Sequence, residues 1–404
     1  MRKLQKTKIF SITFYFLSAC FLLLSGIALV FTAYYLNESY FLRFTINNKL
    51  TDTAINRITN FKALLSLTGF LILCVFLFVS MNKKAVISLI EKRKILLQNL
   101  TLLLFSILVF ILLFEFAARI ALPEETKYSF PVGQVNFFNE YAHLNKEGYR
   151  DIEHGTTKGT KFRIAVIGDS YTFGSGIKNI NHIYPRQLER LLNIDKGRNY
   201  EVLNFGKPGV DTEFEITILK NDVVQYKPDL IIIGYVLNDF RDLESQKKSA
   251  NPYLFWFGIF LKRYSYLYGF TSKGLDIALE SVGLKKSYYT TIVDSFGSEN
   301  NKKLNGEYFK ELKNISQDHN ATLIIVIFPF IYHLDNYPFA EQHKAIAQIA
   351  SQSNIIAIDL LPYFKGIDEN SIIVSNYDRH PNEIGHEIAA KAIYEKLINI
   401  NLVS

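Results

Sequence analysis

The chain has 404 residues, 49% of them hydrophobic, and a formal net charge of +7. That is enough apolar material for a sizeable core and more than one domain. Its cysteines, Cys20 and Cys74, both lie inside apolar runs, which argues against a disulfide framework, a cysteine-rich metal centre and redox chemistry.

In chain order, the first elements are membrane segments. Roughly 9–36, 63–81 and 95–114 are uncharged runs of about 20 residues or more, the length that crosses a bilayer. Within or beside the third, Asn99, Glu115 and Arg119 are the polar interruptions, and the last two stand at helical pairing distance. The first run follows "MRKLQKTK" and ends in Tyr34, Tyr35 and Leu36, not in small residues, so it reads as an uncleaved anchor and not a signal peptide. Arg2, Lys3, Lys6 and Lys8 precede it, and Lys83, Lys84, Lys92, Arg93 and Lys94 lie between the second and third runs. The positive-inside rule puts both groups in the cytoplasm, and three spans then deliver everything after about residue 122 to the periplasmic or extracellular side. The net basicity is therefore topological. The outer region is slightly acidic and has no basic patch interleaved with aromatics, so nucleic acid is not an expected partner.

The expected organisation is a membrane anchor over 1–122, a connecting segment over 123–160 and an α/β domain over 161–404. In the last, "RIAVIG" (163–168), "YEVLNFG" (200–206), "DLIIIGYV" (229–236), "ATLIIVIFP" (321–329) and "IIAIDL" (355–360) are short, near-continuous apolar runs, the pattern of strands buried on both faces. Helical patterning fills 182–193, 211–226, 304–318, 339–352 and 382–399. Alternation of this kind predicts a parallel sheet between two helical layers, a three-layer α/β/α sandwich of flavodoxin-like kind. The interval 240–303 breaks the rhythm. Its aromatic stretch at 252–270 carries Lys262 and Arg263 at its middle, so a packed helix is expected there before a fourth span, a substrate lid or a membrane-surface helix.

In an open parallel sheet, ligands bind beyond the carboxyl ends of the strands. The first strand ends in "GDSYTFGSG", placing Ser170 where the chain leaves the sheet; taken alone, it could be a helix cap. The second runs into "LNFGKPGVDT", with Gly206 and Gly209, and the third into "GYVLNDF", with Asn238. Backbone N–H groups and a side-chain amide converging there would form an oxyanion hole. Near the C-terminus, "YDRHPN" offers His380 as a base and Asp378 as the acid that would orient it, just after the fifth strand and before the final helix. Extended backbone would put side chains at i and i+2 on one side and let Asp378 reach His380; helical backbone would separate them.

Competing readings exist for each residue. Asp378, His380 and His386, or these with His154 and His182, could be metal ligands, but no familiar zinc spacing occurs. His386 could be a packed side chain of the last helix, Asp378 a turn former, and Arg379 a solvated neighbour or a contact for an anionic substrate.

The ordered set "GDSYTFGSG", "NFGKPG", "LND" and "DRHPN" resembles the four blocks of the SGNH (GDSL-type) hydrolase superfamily over roughly 140–400. The upstream "NKEGYRD" is similar to the entry segment of membrane-anchored bacterial members, some associated with exopolysaccharide modification. The resemblance implies a Ser170 nucleophile that also supplies one oxyanion N–H, Gly209 (with Gly206 as rival) and Asn238 as the other oxyanion donors, His380 as base and Asp378 as acid. It implies no cofactor and no metal. Two departures stand out: Val236 occupies the usual glycine position of the third block, and the acid is two rather than three residues before the histidine.

The expected function is thus a membrane-anchored esterase acting on an acylated, especially acetylated, envelope or exported carbohydrate. The alternatives are an O-acyltransferase dependent on a membrane partner that exports activated acyl groups, and a non-catalytic binding or assembly factor. The expected partners are an ester substrate and the lipid bilayer.

Overall fold

The computed structural model describes residues 2–35, 52–121, 137–138, 140–194, 199–240, 261, 264–376 and 378–403. They fall into two compact units, 1–121 with 250–261, and 122–249 with 262–404.

The first unit consists of the helices Arg2–Tyr35, Asp52–Met81, Lys83–Lys92 and Lys94–Ala121. Among the described residues, Ile9–Phe31 and Ile95–Ala121 are long and apolar enough to cross a membrane. The second expected span is different. Ser66–Met81 reaches that length only when joined to Lys83–Lys92, which leaves it at an angle of 87°. The first two helices pack closely at Gly26 and Gly69, where a Cβ on either glycine would lie about 3 Å from the other's carbonyl oxygen (3.1 and 2.9 Å). Small residues of this kind let apolar helices approach backbone to backbone. The last helix presents Leu102, Leu104 and Phe105 outward, and its Arg119 donates to Glu115 at 2.9 Å.

The second unit is built on a parallel sheet of β1 (Phe162–Gly168), β2 (Tyr200–Gly206), β3 (Leu230–Tyr235), β4 (Thr322–Ile327) and β5 (Ile356–Asp359), in the order β2-β1-β3-β4-β5. All five coincide with the apolar runs, because β1 to β4 are buried almost throughout and polar alternation has no place in such strands. The chain moves one way from β1 to β2 and the other way from β3 to β5. Right-handed crossovers therefore place the helix Tyr184–Ile194 on one face, and Thr212–Ile218, Glu299–Asp318 and Ala340–Gln352 on the other. The last helix, Glu383–Asn399, packs with Tyr184–Ile194 and completes the first layer. The result is the expected α/β/α sandwich. Its direction reverses beside β1, so the crevice for a ligand lies at the carboxyl ends of β1 and β3.

Three differences from the expected elements matter. The helix expected from 304 begins at Glu299, capped by Ser298, whose hydroxyl accepts from Asn301 N. Among the described residues of 240–303 lie the helices Tyr266–Ser281 and Tyr288–Gly297, while most of the aromatic stretch 252–270 lies outside the described residues. Finally, Asp378 and His380 do not directly follow β5. A short helix (Leu361–Phe364) and a turn (Glu369–Ser371) intervene, and an antiparallel hairpin of β6 (Ile373–Ser375) and β7 (Asp378–Pro381) carries the pair.

Candidate active site

Three glycines lie in one row across the carboxyl end of the sheet: Gly168 is in register with Gly206 on β2 and Gly234 on β3. Their lack of a side chain makes room for the turn that follows β1. A Cβ on Gly168 would lie 2.2 Å from Thr172 Oγ1, and one on Gly206 would lie 2.3 Å from the Phe173 nitrogen. The turn sits directly on this floor. Asp169 caps it by accepting from Tyr171 N at 2.8 Å, and Thr172 Oγ1 hydrogen-bonds the Tyr184 hydroxyl at 2.8 Å. Ser170, at the start of the helical turn Ser170–Phe173, is thereby presented at the sheet edge.

Opposite it stands β7. Because this strand is extended, Asp378 and His380 project to the same side. His380 Nδ1 donates to Asp378 Oδ1 at 2.5 Å, and the His380 backbone N–H donates to the same oxygen at 3.1 Å. With Nδ1 so engaged, Nε2 is the ring nitrogen left to accept, and it stands 2.8 Å from Ser170 Oγ. Burial opposes a charge on His380, but the Asp378 carboxylate overrides it and raises the imidazole above its ordinary pKa. Burial likewise pushes Asp378 up, and the hydrogen bonds from His380 outweigh that, leaving it below the usual carboxylate value. The pair is held as a hydrogen-bonded, mutually stabilised unit.

Gly209 and Asn238 reach the same place by different routes. Gly209, at φ 75°, lies in the turn after β2 and lines the cavity together with Ser170 and His380. Its rival Gly206 is part of the sheet floor, and its N–H is taken by Asn204 Oδ1 at 2.9 Å. Asn238 sits in the turn Leu237–Asp239 and donates through Nδ2 to Asp169 Oδ2 at 3.2 Å. Asp169, 1% exposed, thus touches three parts of the site, since Ser170 Oγ also lies 3.2 Å from the same oxygen. The glycine missing at Val236 is no obstacle: the Val236 N–H is tied to Asp239 Oδ2 at 2.7 Å, which closes the turn. Behind Asp169, burial and that neighbouring acid push the Glu215 pKa up, and burial also raises Asp239 well above its ordinary value.

His154 and His386 are engaged elsewhere. His154 lies between Asp151 (3.0 Å) and Glu201 (3.1 Å), the latter near the amino end of β2. His386 stacks on Tyr184 and accepts its backbone N–H at 3.2 Å; burial lowers its pKa to about 3, so it is neutral. Arg379 points away from Ser170 and donates to Glu369 at 3.0 Å and to the Ile331 carbonyl at 2.9 Å.

Sequence reasoning missed the walls. The cavity, about 300 Å³, is flanked by Phe137, Phe138, Phe173 and Pro208. Phe137 and Phe138 come from the connecting segment, whose "NFFNE" carries no strand-end signal. Arg150 is fully buried between the Phe137 and Phe173 rings (5.7 and 5.5 Å) and donates to the carbonyls of Gly174 (2.6 Å) and Ile177. It fastens the loop behind Ser170; its only signal was its place in "GYRD".

The site's four blocks fall within one matched stretch: residues 166–388 match the GDSL-like Lipase/Acylhydrolase family. The chain belongs to this family. The chemistry of GDSL-like acylhydrolases is the cleavage of acyl esters. No curated protein matches the chain. Among solved structures, it is similar to a two-domain esterase active on acetylated mannans, at 16% identity over 61% of this chain and 51% of that one, with a TM-score of 0.39. TesA (13% identity, 59% of this chain, 99% of that one, TM-score 0.37) is another. A catalytic mutant of an acetylxylan esterase from Geobacillus stearothermophilus is a third (17%, 60% and 96%, TM-score 0.37). This GDSL-like chain spans about half the length of the first of these. The matched stretch begins after Phe137, Phe138 and Arg150 and includes Phe173 and Pro208.

Proposed function

We propose that this chain is a membrane-anchored serine esterase that removes short acyl groups, acetyl foremost, from an envelope or exported carbohydrate. The observation that carries the reading is a single imidazole, His380, bonded on one side to Ser170 and on the other to Asp378. In the proposed reaction, Ser170 Oγ attacks the acyl carbonyl as His380 Nε2 takes its proton. The N–H groups of Ser170 and Gly209 and the amide of Asn238 receive the developing oxyanion. Collapse breaks the ester C–O bond, and the sugar oxygen leaves with the proton from His380. Water then attacks the acyl-serine, again giving a proton to His380, and the carboxylic acid departs as that proton returns to Ser170. Asp378 keeps the imidazole in the required tautomer and supports its charge at each transfer.

Two observations support the finer parts. A cavity of about 300 Å³ stands at the small end of ligand pockets and suits a short acyl group better than a fatty chain. The apolar helices and the basic residues beside them support an outward-facing domain if the bent Ser66–Lys92 pair is counted as the third span. There the domain would meet acylated glycans.

The test is labelling with a fluorophosphonate, alongside acetate release from acetylated saccharides. Wild-type protein should label and turn over. Ser170→Ala should lose labelling and at least about 10⁴-fold of the turnover, as removal of a catalytic serine does. Labelling or turnover that survives in Ser170→Ala would sink the reading.

A further inference from the structure

Phe137 and Phe138 are neighbours with different fates. Phe137 is 5% exposed and packs over the Arg150 guanidinium, whereas Phe138 is 37% exposed. The Phe138 ring lies parallel to Phe173, at an interplanar angle of 3° with centroids 5.8 Å apart. Phe173 closes the turn that begins with Ser170. One wall of the cavity is therefore a flat aromatic ring, registered against the nucleophile's own turn and reaching solvent at its outer part. Ser175, Gly176, His380 and Ser170 line the same cavity.

A half-exposed flat ring beside a hydroxyl and open backbone is poorly suited to an acyl chain, which is best enclosed by aliphatic side chains away from water. It suits a group with one apolar face and a polar rim. A pyranose ring is such a group: its axial C–H bonds make one face apolar while its hydroxyls remain at the edge, where water and Ser175 can serve them. The turn on which the ring lies is fastened from behind. Arg150, fully buried, fastens the loop from Phe173 to Lys178 through the carbonyls of Phe173 (3.4 Å), Gly174 (2.6 Å) and Lys178 (3.4 Å), and it reaches the Tyr141 carbonyl on the segment that carries Phe138 (3.5 Å). A platform fixed in this way costs little ordering when a ligand stacks on it.

We infer that Phe138 is a specificity-determining residue, the stacking face for the sugar ring whose ester Ser170 cleaves. The inference rests on the carbohydrate-esterase reading above and adds to it the wall that recognises the alcohol half of the substrate. Phe138 lies outside the residues matched to the family, 166–388.

The test measures kcat/KM of the full-length protein for a monoacetylated oligosaccharide and for ethyl acetate, whose alcohol cannot stack. The readout is the ratio of the two. Phe138→Ala should lower it about tenfold, mainly through the KM for the saccharide, and Phe138→Trp should keep it, in proportion to what aromatic stacking typically contributes. An unchanged ratio in Phe138→Ala, with the wild type active on the saccharide, overturns the role of Phe138 and leaves the esterase reading intact. So does an unchanged ratio accompanied by faster cleavage of ethyl octanoate, which would assign the wall to the acyl chain. A wild type that cleaves ethyl acetate but no acetylated saccharide overturns both this inference and the carbohydrate reading. Phe138→Trp guards against a folding artefact: if it loses the ratio as fully as alanine does, stacking is not the interaction.

Discussion

His380 is under two opposed pulls: burial disfavours its charge, and Asp378 favours it more strongly. The sign of the balance has consequences for pH. As a base, His380 must be neutral, so the acid limb of kcat/KM should lie above the ordinary histidine value of about 6.5. In Asp378→Asn the main favouring charge is gone and only Asp169 is left to oppose burial, so the limb should move down. At the same time kcat should fall by about 10²–10⁴-fold through loss of the correct tautomer and of support for the imidazolium. A pH–rate profile of both proteins checks this; an acid limb that does not move in Asp378→Asn would mean that Asp378 does not act on His380. Stability runs the other way. A folded-state pKa raised above the unfolded one stabilises fully below about pH 6.5 and ceases to do so as pH rises through the folded value. The lowered pKa of Asp378 contributes above about pH 3.9, its unfolded value, and is lost as pH falls through the folded one. The range in which the His380 contribution to stability fades is thus the range in which activity appears.

Among the elements, the glycine row shows how a site is built from packing. Gly206 looked like a candidate for an oxyanion donor because it follows a strand, yet its position serves the close approach of the turn Ser170–Phe173, and its N–H is spent on Asn204. In Gly206→Ala, the new Cβ would meet backbone atoms of Thr172 and Phe173, which cannot rotate away. The expected cost is about 1–3 kcal/mol, as for overpacked cores, and the turn carrying Ser170 should be displaced with it. Gly209→Ala meets open space and suffers instead from its positive φ, a strain of about 1–2 kcal/mol without displacement of the turn. Thermal denaturation and fluorophosphonate labelling rate of the two variants separate the cases: thermal stability should fall in both, and the labelling rate mainly in Gly206→Ala. Normal labelling in Gly206→Ala would contradict the packing role. The β6–β7 hairpin teaches a related lesson. Asp378 reaches the imidazole two residues on because the hairpin keeps Asp378–Pro381 extended, with the Asp378 N–H anchored on Ser375 Oγ at 3.1 Å.

For the whole molecule, the question of sidedness depends on one bend. If Ser66–Lys92 crosses despite its 87° angle, the number of spans is odd and the acylhydrolase unit faces outward; if it does not, the unit lies on the same side as the N-terminus. A single cysteine decides this. Glu341, whose side chain is 78% exposed, can be replaced by cysteine in a chain in which Cys20 and Cys74 have been changed to alanine. A membrane-impermeant maleimide added to intact cells should label Glu341→Cys. Labelling only after lysis would place the unit inside and remove exported carbohydrate from its reach.

The sequence by itself determined the five strands and put Ser170 and Asn238 just beyond two of them, because this depends on local information: buried strands are continuous apolar runs, and residues after strands in a parallel sheet lie at its ligand-binding edge. It also placed the apolar N-terminal helices, since hydrophobic length is a one-dimensional property. Tertiary structure decided what depends on residues distant in sequence. It brought Asp378 and His380 to Ser170 on a hairpin the strand pattern did not reveal, assigned Gly206 to packing and Gly209 to the cavity, and turned Arg150 into the fastening of the loop behind the nucleophile. It also made Phe138 a wall of the cavity. Nothing about a phenylalanine in "NFFNE" distinguishes core from site; only the parallel ring of Phe173 across from it, thirty-odd residues away, does.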